Sequence, residues 1–458
     1  MIFFAVHYFF MKDLTRGPEG KMILNFAAPM LLGNVFQQLF SVVDSIIVGK
    51  LIGKEALAAV GASFPVIFIL VSLIIGLVMG TTVVISQYFG AGDLKKVRLA
   101  IDTMYIYTFF GSLILTIAGL LMSGPLLRLL GLPDELMPPA LQYLNIFIAG
   151  MVLMFGYNGT SAALRGLGDS KTPLWFLIIA IILNIILDIV FIAVLKMGIA
   201  GAAWATVASH GVAFLLAAWY LNKTHKVLKV VIKGIKFDRE IFRQSIRIGL
   251  PNGLQQTFVA LGGLALLGIV NKFGTDVIAG FSVASRLDAI ATVPAMSFAA
   301  AISAFTGQNI GANKQDRIKN GLSSTLKMMT IVTFVTTMFI ILAGRYMINL
   351  FTNDIRVIEY GAQYLTIVGL FYILFTLMFI YTGLMRGAGD SIVPMFITLA
   401  SLWIIRIPFA WIMAGKIGVT GIWWSIPAGW FVGLILSYLY YKTGRWKKKA
   451  VVTYTEEF

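Results

Sequence analysis

The sequence predicts an all-α polytopic membrane protein: twelve transmembrane helices in two six-helix lobes, related by a pseudo-twofold axis along the membrane normal. Three observations predict it. Apolar stretches of about twenty residues or more recur along the chain, which is 59% hydrophobic, 12% charged and has a mean hydropathy of +0.89. Lys and Arg crowd into alternate loops. The second half of the chain repeats the first.

The spans are read at 23–49, 57–83, 97–122, 136–162, 173–195, 199–221, 243–270, 277–304, 320–343, 358–384, 393–415 and 419–441. Lipid offers the backbone no hydrogen-bond partner, so each must be a helix. In the first span, Asn34, Gln37, Ser41 and Asp44 fall on one helical face. A carboxylate at that depth costs about 2.5–3.5 kcal/mol, so Asp44 reads as functional. Pro29 precedes that face and favours a kink. The kink is either static or the point where the helix bends when Asp44 changes charge. The opening residues before Asp13 are too short to span; they read either as an extension upstream of Met11 or as an interfacial segment.

The net charge of +16 follows topology. Basic residues lie at Lys95, Lys96 and Arg98, at Arg165 and Lys171, across 223–247, at Lys314, Arg317 and Lys319, and in the tail from 442. These alternate loops are cytoplasmic by the positive-inside rule, as are both termini. The partner is the lipid bilayer of the plasma membrane, not nucleic acid, and a monomer is expected. There is no cysteine, and His7, His210 and His225 are scattered, which disfavours thiol chemistry or a metal site. No nucleophile–base constellation stands out, so an enzyme is not expected.

The repeat is explicit. LRGLGDSKTP at 164–173 returns as MRGAGDSIVP at 385–394, a displacement of 221 residues. At that displacement SQYFGAG at 86–92 meets GQNIGAN at 307–313, and LQYL at 141–144 meets AQYL at 362–365. GIAGAAW at 198–204 meets GVTGIWW at 418–424, and Pro29 meets Pro251. Six spans per repeat is even, so both halves enter from one side and the repeats are parallel. The domains are an N-lobe at 23–221, a cytoplasmic linker at 222–241, a C-lobe at 242–441 and a basic tail at 442–458. A substrate cavity where the lobes meet, opening alternately to each side, is the expected mechanism.

The repeat also serves as an internal control. The Arg-Gly-x-Gly-Asp-Ser loops occur in both halves and read as structural: their glycines permit a tight turn, and Arg with Asp clasps a helix end. The acids break the symmetry. Asp44 corresponds to Ala265 or Leu266, while Asn184 and Asp188 correspond to Ile405 and Phe409. Asn184 and Asp188 share a helix face. Asp44, Asn184, Asp188 and Thr206 all lie in the outer half of one lobe, so one cluster is possible. Two carboxylates in one desolvated pocket hold a proton between them. With Asn and Thr oxygens they also offer a cage to Na+. Asn158 lies deeper toward the cytoplasm. In the C-lobe, Arg286, Asp288 and Gln256 join Gln37 and Ser41 as candidates to line the substrate cavity. Asp102 is expected to be solvated, and His210 to be a hydrogen-bonded packing residue.

With QQLFSVVDSIIVGKLIG at 37–53, SQYFGAGD at 86–93 and the duplicated loops, the chain resembles the multidrug and toxic compound extrusion (MATE) family. The resemblance implies a cation-coupled antiporter, without cofactor, that expels organic and often cationic compounds. It implies that Asp44 is the first-helix aspartate of the family. Asn184, Asp188 and Thr206, with Asn158 less securely matched, would form its N-lobe network. The NorM-like branch carries further acids on spans seven and ten. Here span seven has Gln255 and Gln256, and span ten has only Glu359 at its edge. That points to the DinF-like branch and to protons as the coupling ion, with Na+ as the alternative. A lipid-linked precursor flippase of the same superfamily is the other reading. It would need a cationic cavity, for which only Arg286 and Arg406 lie within spans.

Overall fold

The computed structural model describes residues 13–129, 131–224 and 234–452, and every regular element among them is helical. Met1 to Met11 and His225 lie outside the described residues.

Among the described residues ten helices are long and apolar enough to cross a membrane, and two bent pairs, each taken as one span, bring the number to twelve. α1 (Glu19–Leu51), α2 (Lys54–Gly90) and α3 (Leu94–Leu129) open the chain. The fourth predicted span is not one straight helix. It is α4 (Met137–Ala149) and α5 (Met151–Gly166), bent by 47°. α6 (Lys171–Asp188) runs on as a π turn over Ile189–Val194, and α7 (Ile199–Thr224) follows. The second half matches it: α8 (Arg239–Val270), α9 (Thr275–Gly311), α10 (Gln315–Asn349), then α11 (Ile355–Gly369) and α12 (Tyr372–Gly387) bent by 50°. α13 (Ile392–Leu399), a π turn over Ala400–Arg406 and α14 (Ile407–Ile417) form the eleventh span, and α15 (Val419–Thr443) the last.

Gly150 sits at the first bend, where α7 packs close. A Cβ on it would stand 2.2 Å from the Val207 side chain, so α7 occupies the space a side chain would need. Several helices also outrun the predicted spans. α2 has 37 residues, about 55 Å at 1.5 Å per residue, against a hydrocarbon core of about 30 Å. The hydropathy signal marks the apolar middle, while the helix continues into polar sequence.

The repeat is written into the backbone. Gly53 and Gly274, Gly168 and Gly389, and Gly198 and Gly418 are matched pairs, all with positive φ. Gly92 (φ +75°) is matched by Asn313 (φ +55°), a residue type that tolerates the left-handed region. The Asp of each Gly-Asp-Ser loop does accept from the helix that follows. Asp169 Oδ1 accepts from the backbone N–H of Lys171 and Thr172, both at 3.0 Å. Asp390 Oδ1 accepts from Val393 N–H at 3.4 Å, and its Oδ2 from the Tyr440 hydroxyl at 2.5 Å.

Two compact units result, one of Leu32–Gly253 and one of Thr15–Leu31 with the chain from Leu254 onward. Two of the boundaries fall inside continuous helices, each two residues past a proline: Pro29 in α1 and Pro251 in α8.

In the first unit, α2 and the start of α8 cross backbone to backbone. Each helix brings a Gly-x-x-x-Gly pair, Gly76 with Gly80 and Gly249 with Gly253. A Cβ on Gly76 would lie 2.2 Å from Gly253 N, and one on Gly80 2.3 Å from Ser245 O. Small residues four apart form the groove that permits such an approach. Asp102 is buried in this unit rather than solvated. Arg98 Nε lies 3.0 Å from its Oδ1, the Lys236 backbone N–H donates to it, and Asp238 N–H donates to neighbouring Thr103. The chain entering α8 covers it.

In the second unit, the start of α1 is tied to α10. Lys314 Nζ donates to Thr15 O at 2.9 Å, Arg317 Nη2 to Gly17 O at 2.9 Å, and Arg317 pairs with Glu19 at 3.3 Å. Its core centres on Trp423, stacked on Phe281 and edge-on to Tyr364.

Candidate functional site

Four helices of the first unit build one polar site. α1 delivers Asp44, seven residues before its end at Leu51. α6 delivers Asn184 and Asp188 from its last regular turn, where a four-residue step aligns them before the π turn begins. α7 delivers Thr206, and α4 delivers Tyr143.

The carboxyl groups of Asp44 and Asp188 face each other at hydrogen-bonding range. Asp188 is 0% exposed and Asn184 1%, while Asp44 is half-buried. The Asn184 amide satisfies both its ends in one orientation: Nδ2 donates to Asp188 Oδ2 at 2.9 Å, and the oxygen accepts from Thr206 N–H at 3.1 Å. In the opposite orientation Nδ2 meets Thr206 Oγ1 at 3.4 Å and the amide oxygen faces acceptors only. The first orientation is the one the network selects. Oδ1 of Asp44 and Oδ1 of Asp188 are buried with no donor. Two bare carboxylates at this separation repel, so the contact is stable when a proton or a cation is shared between them.

Tyr143 is a member that the sequence reading missed. It is buried and within electrostatic reach of both aspartates. A signal was present: Tyr143 sits in the LQYL motif that returns as AQYL with Tyr364.

Asp44, Asp188, Asn184 and Thr206 thus come together. Asn158 does not join them by any hydrogen bond; its Nδ2 donates to Met154 O of its own helix at 2.9 Å. Gln37 and Ser41 are exposed on α1, with Ser41 Oγ donating to Gln37 O at 3.2 Å. Gln256 is half-buried, and its neighbour Gln255 donates to Thr398 Oγ1 at 2.6 Å. Pro29 lies inside an unbroken helix.

The second unit holds its own polar cluster around the repeated tyrosine. Asp288 on α9 faces the hydroxyls of Tyr364 and Tyr372 and lies within electrostatic reach of Arg406, which ends the π turn. Oδ1 of Asp288, Nε of Arg406 and Nε1 of Trp423 are buried without hydrogen-bond partners. Arg286, two residues from Asp288, is exposed instead. At the displacement of 221, Asp288 and Arg406 correspond to Ile67 and Ile185, so this pair also breaks the symmetry. Asp288 and Arg406 are both half-buried and lie within electrostatic reach of each other without a direct ion pair. Arg406→Leu is expected to lower stability by about 1 kcal/mol, and the double variant Asp288→Asn/Arg406→Leu to recover most of it. Thermal unfolding of the purified variants checks this, and a double variant no more stable than the single would refute the interaction.

The duplicated six-span plan matches a described group of proteins. The MatE family matches residues 29–190 and 251–412, once per repeat. The chain belongs to the MATE family. It is therefore a membrane transporter and not an enzyme. Over 442 residues this MATE chain is 35% identical to the probable multidrug resistance protein YpnP of Bacillus subtilis (strain 168), covering 96% of this chain and 99% of that one. It is 27% identical to the probable multidrug resistance protein NorM of Thermotoga maritima, covering 94% of each. Among solved structures, a crystal structure of MATE in the bent conformation superposes with a TM-score of 0.89 at 27% identity, covering 96% of this chain and 98% of that one. An outward-facing multidrug resistance MATE transporter of the MOP superfamily superposes at 0.86, again at 27% identity, covering 95% of this chain and 98% of that one.

Proposed function

We propose that this protein is a secondary active multidrug efflux antiporter. It exports organic, often cationic and amphipathic compounds in exchange for protons by alternating access, coupled through Asp44 and Asp188. Export of drugs is supported by the names of its relatives, among them the multidrug export protein MepA of Staphylococcus aureus. The positive-inside pattern supports placement in the plasma membrane with both termini cytoplasmic.

The observation that carries proton coupling is the facing aspartate pair with its two unsatisfied oxygens. The Asn184 amide favours a proton over Na+. Its nitrogen, a donor, points at Asp188, and its oxygen is turned to the Thr206 N–H rather than to the carboxylate. In the cycle, the outward-open pair takes up a proton, and neutralisation rearranges the Asn184–Thr206 contact. α1 then bends near Pro29, drug leaves, and the proton is released inward.

Na+ is the second reading, favoured by the same two unsatisfied oxygens beside the Thr206 hydroxyl. A flippase of anionic lipid-linked precursors fits less well, because Arg406 lies within electrostatic reach of Asp288 and leaves Arg286 as the other cation within spans. Transport of ethidium by purified protein in liposomes, under separately imposed pH and Na+ gradients, tests the proposal. The pH gradient alone is expected to drive transport. Transport driven by Na+ alone would replace the proton with Na+.

A further inference from the structure

His210 stands one helical turn from Thr206 on the same face of α7, on the side leading to the linker. Its Nδ1 lies 2.9 Å from Thr206 O. A carbonyl only accepts, so Nδ1 carries the hydrogen in the neutral ring, and Nε2 is left as a base. The ring packs edge-on against Tyr157 of α5, with centroids 6.2 Å apart. The Tyr157 hydroxyl donates to Pro173 O at 3.0 Å and is hydrogen-bonded with Ser161. Pro173 opens α6, in the turn that Asp169 caps. Asp188, Asn184, the Thr206 backbone and His210 are hydrogen-bonded in turn, and the His210 ring packs on Tyr157, all within the first unit, between the aspartate pair and the Arg165–Asp169 loop.

The titratable and charged groups around His210 are few. α5 contributes Tyr157, with Arg165 beyond it; α6 contributes Asp188 by way of Asn184; α4 contributes Tyr143 beside the carboxylates. The internal repeat again separates function from fold. At the register that aligns Gly198 with Gly418, His210 corresponds to Trp430 and Thr206 to Ile426. A histidine is therefore not what this position of the fold requires. It is also the side chain whose ordinary charge change falls between about pH 5 and 8, where a coupling proton must be taken and given.

We propose that His210 is the relay through which the coupling proton leaves toward the cytoplasm; this rests on the proton-coupled reading above. The O–H bond of the protonated aspartate pair breaks, and the proton passes through an intervening water to Nε2 of His210. The ring is then an imidazolium with both nitrogens protonated. Its Nε2–H bond breaks next, to water at the Tyr157 end, and the neutral ring is restored with its Nδ1–H still on Thr206 O.

The test compares His210→Gln with wild type in liposomes. The glutamine amide can still donate to Thr206 O but has no basic nitrogen. Ethidium binding and dye–dye exchange, which move no net proton, are expected to stay at wild-type level. Transport driven by a pH gradient is expected to fall at least about tenfold and to lose its dependence on internal pH between about pH 5 and 8. Wild-type rate with an unchanged pH profile overturns the relay. The two readings fail separately: loss of transport in Asp44→Asn with none in His210→Gln removes only the relay, whereas transport driven by Na+ alone removes proton coupling itself. Should His210→Gln not fold, the wild-type side chain can be watched directly. His7 and His225 are the other histidines, so replacing both leaves a single 15N-histidine signal. The relay requires an Nδ1–H neutral ring that titrates in that window. A ring that stays neutral throughout overturns it.

Discussion

Asp44→Asn is expected to reduce pH-driven efflux of ethidium to the level of protein-free liposomes. Asparagine keeps the size and hydrogen-bonding of the side chain but can neither hold the coupling proton nor become charged on losing it. Its partner Asp188 is buried among Asn184 and Thr206, so the neutral amide also removes the charge change that the network responds to. Asp188→Asn is expected to match it. Asn184→Ala should be milder, about tenfold, because it removes one hydrogen bond to a charged group, which contributes about 1.5 kcal/mol. Binding of the dye at fixed pH separates loss of coupling from loss of the site. Undiminished pH-driven transport by Asp44→Asn would sink the proposed mechanism.

The second large effect lies away from the site. Gly80→Val is expected to prevent accumulation of folded protein, with Gly76→Val close behind. The new Cβ on Gly80 meets the backbone of Ser245 and Gly249 at 2.3–2.7 Å, and backbone inside two crossing helices cannot rotate aside as a side chain would. Overpacking a core costs about 1–3 kcal/mol where side chains yield, and more where they cannot. Gly61→Ala is the control. It lies in the same helix with nothing within 4 Å of its Cβ, and it is expected to be neutral or to stabilise by up to about 1 kcal/mol. Size-exclusion profiles and unfolding midpoints of the three variants decide the matter. A monodisperse, wild-type-like Gly80→Val protein would show that the α2–α8 crossing is not close-packed.

Much of this was legible in sequence because it rests on local pattern. Apolar length, alternating basic loops and a 221-residue displacement need no contact to be read. The same displacement picked out Asp44, Asn184 and Asp188 as breaks in the symmetry. Thr206 was reachable from depth along its span.

What only the tertiary structure decided depends on distances between helices. Asp44 meets Asp188 across 144 positions of sequence, and helical periodicity says which face each occupies but not what that face meets. Tyr143 and the Arg406–Asp288 approach escaped for the same reason. The bends after α4 and α11 escaped because hydropathy does not change across them, and Asp102 was misjudged because its cover comes from the linker end. Sequence determined the span count, the duplication and which residues the fold did not need. Packing determined which of those residues touch, because only close approach of helices, down to glycine against glycine, converts faces into sites.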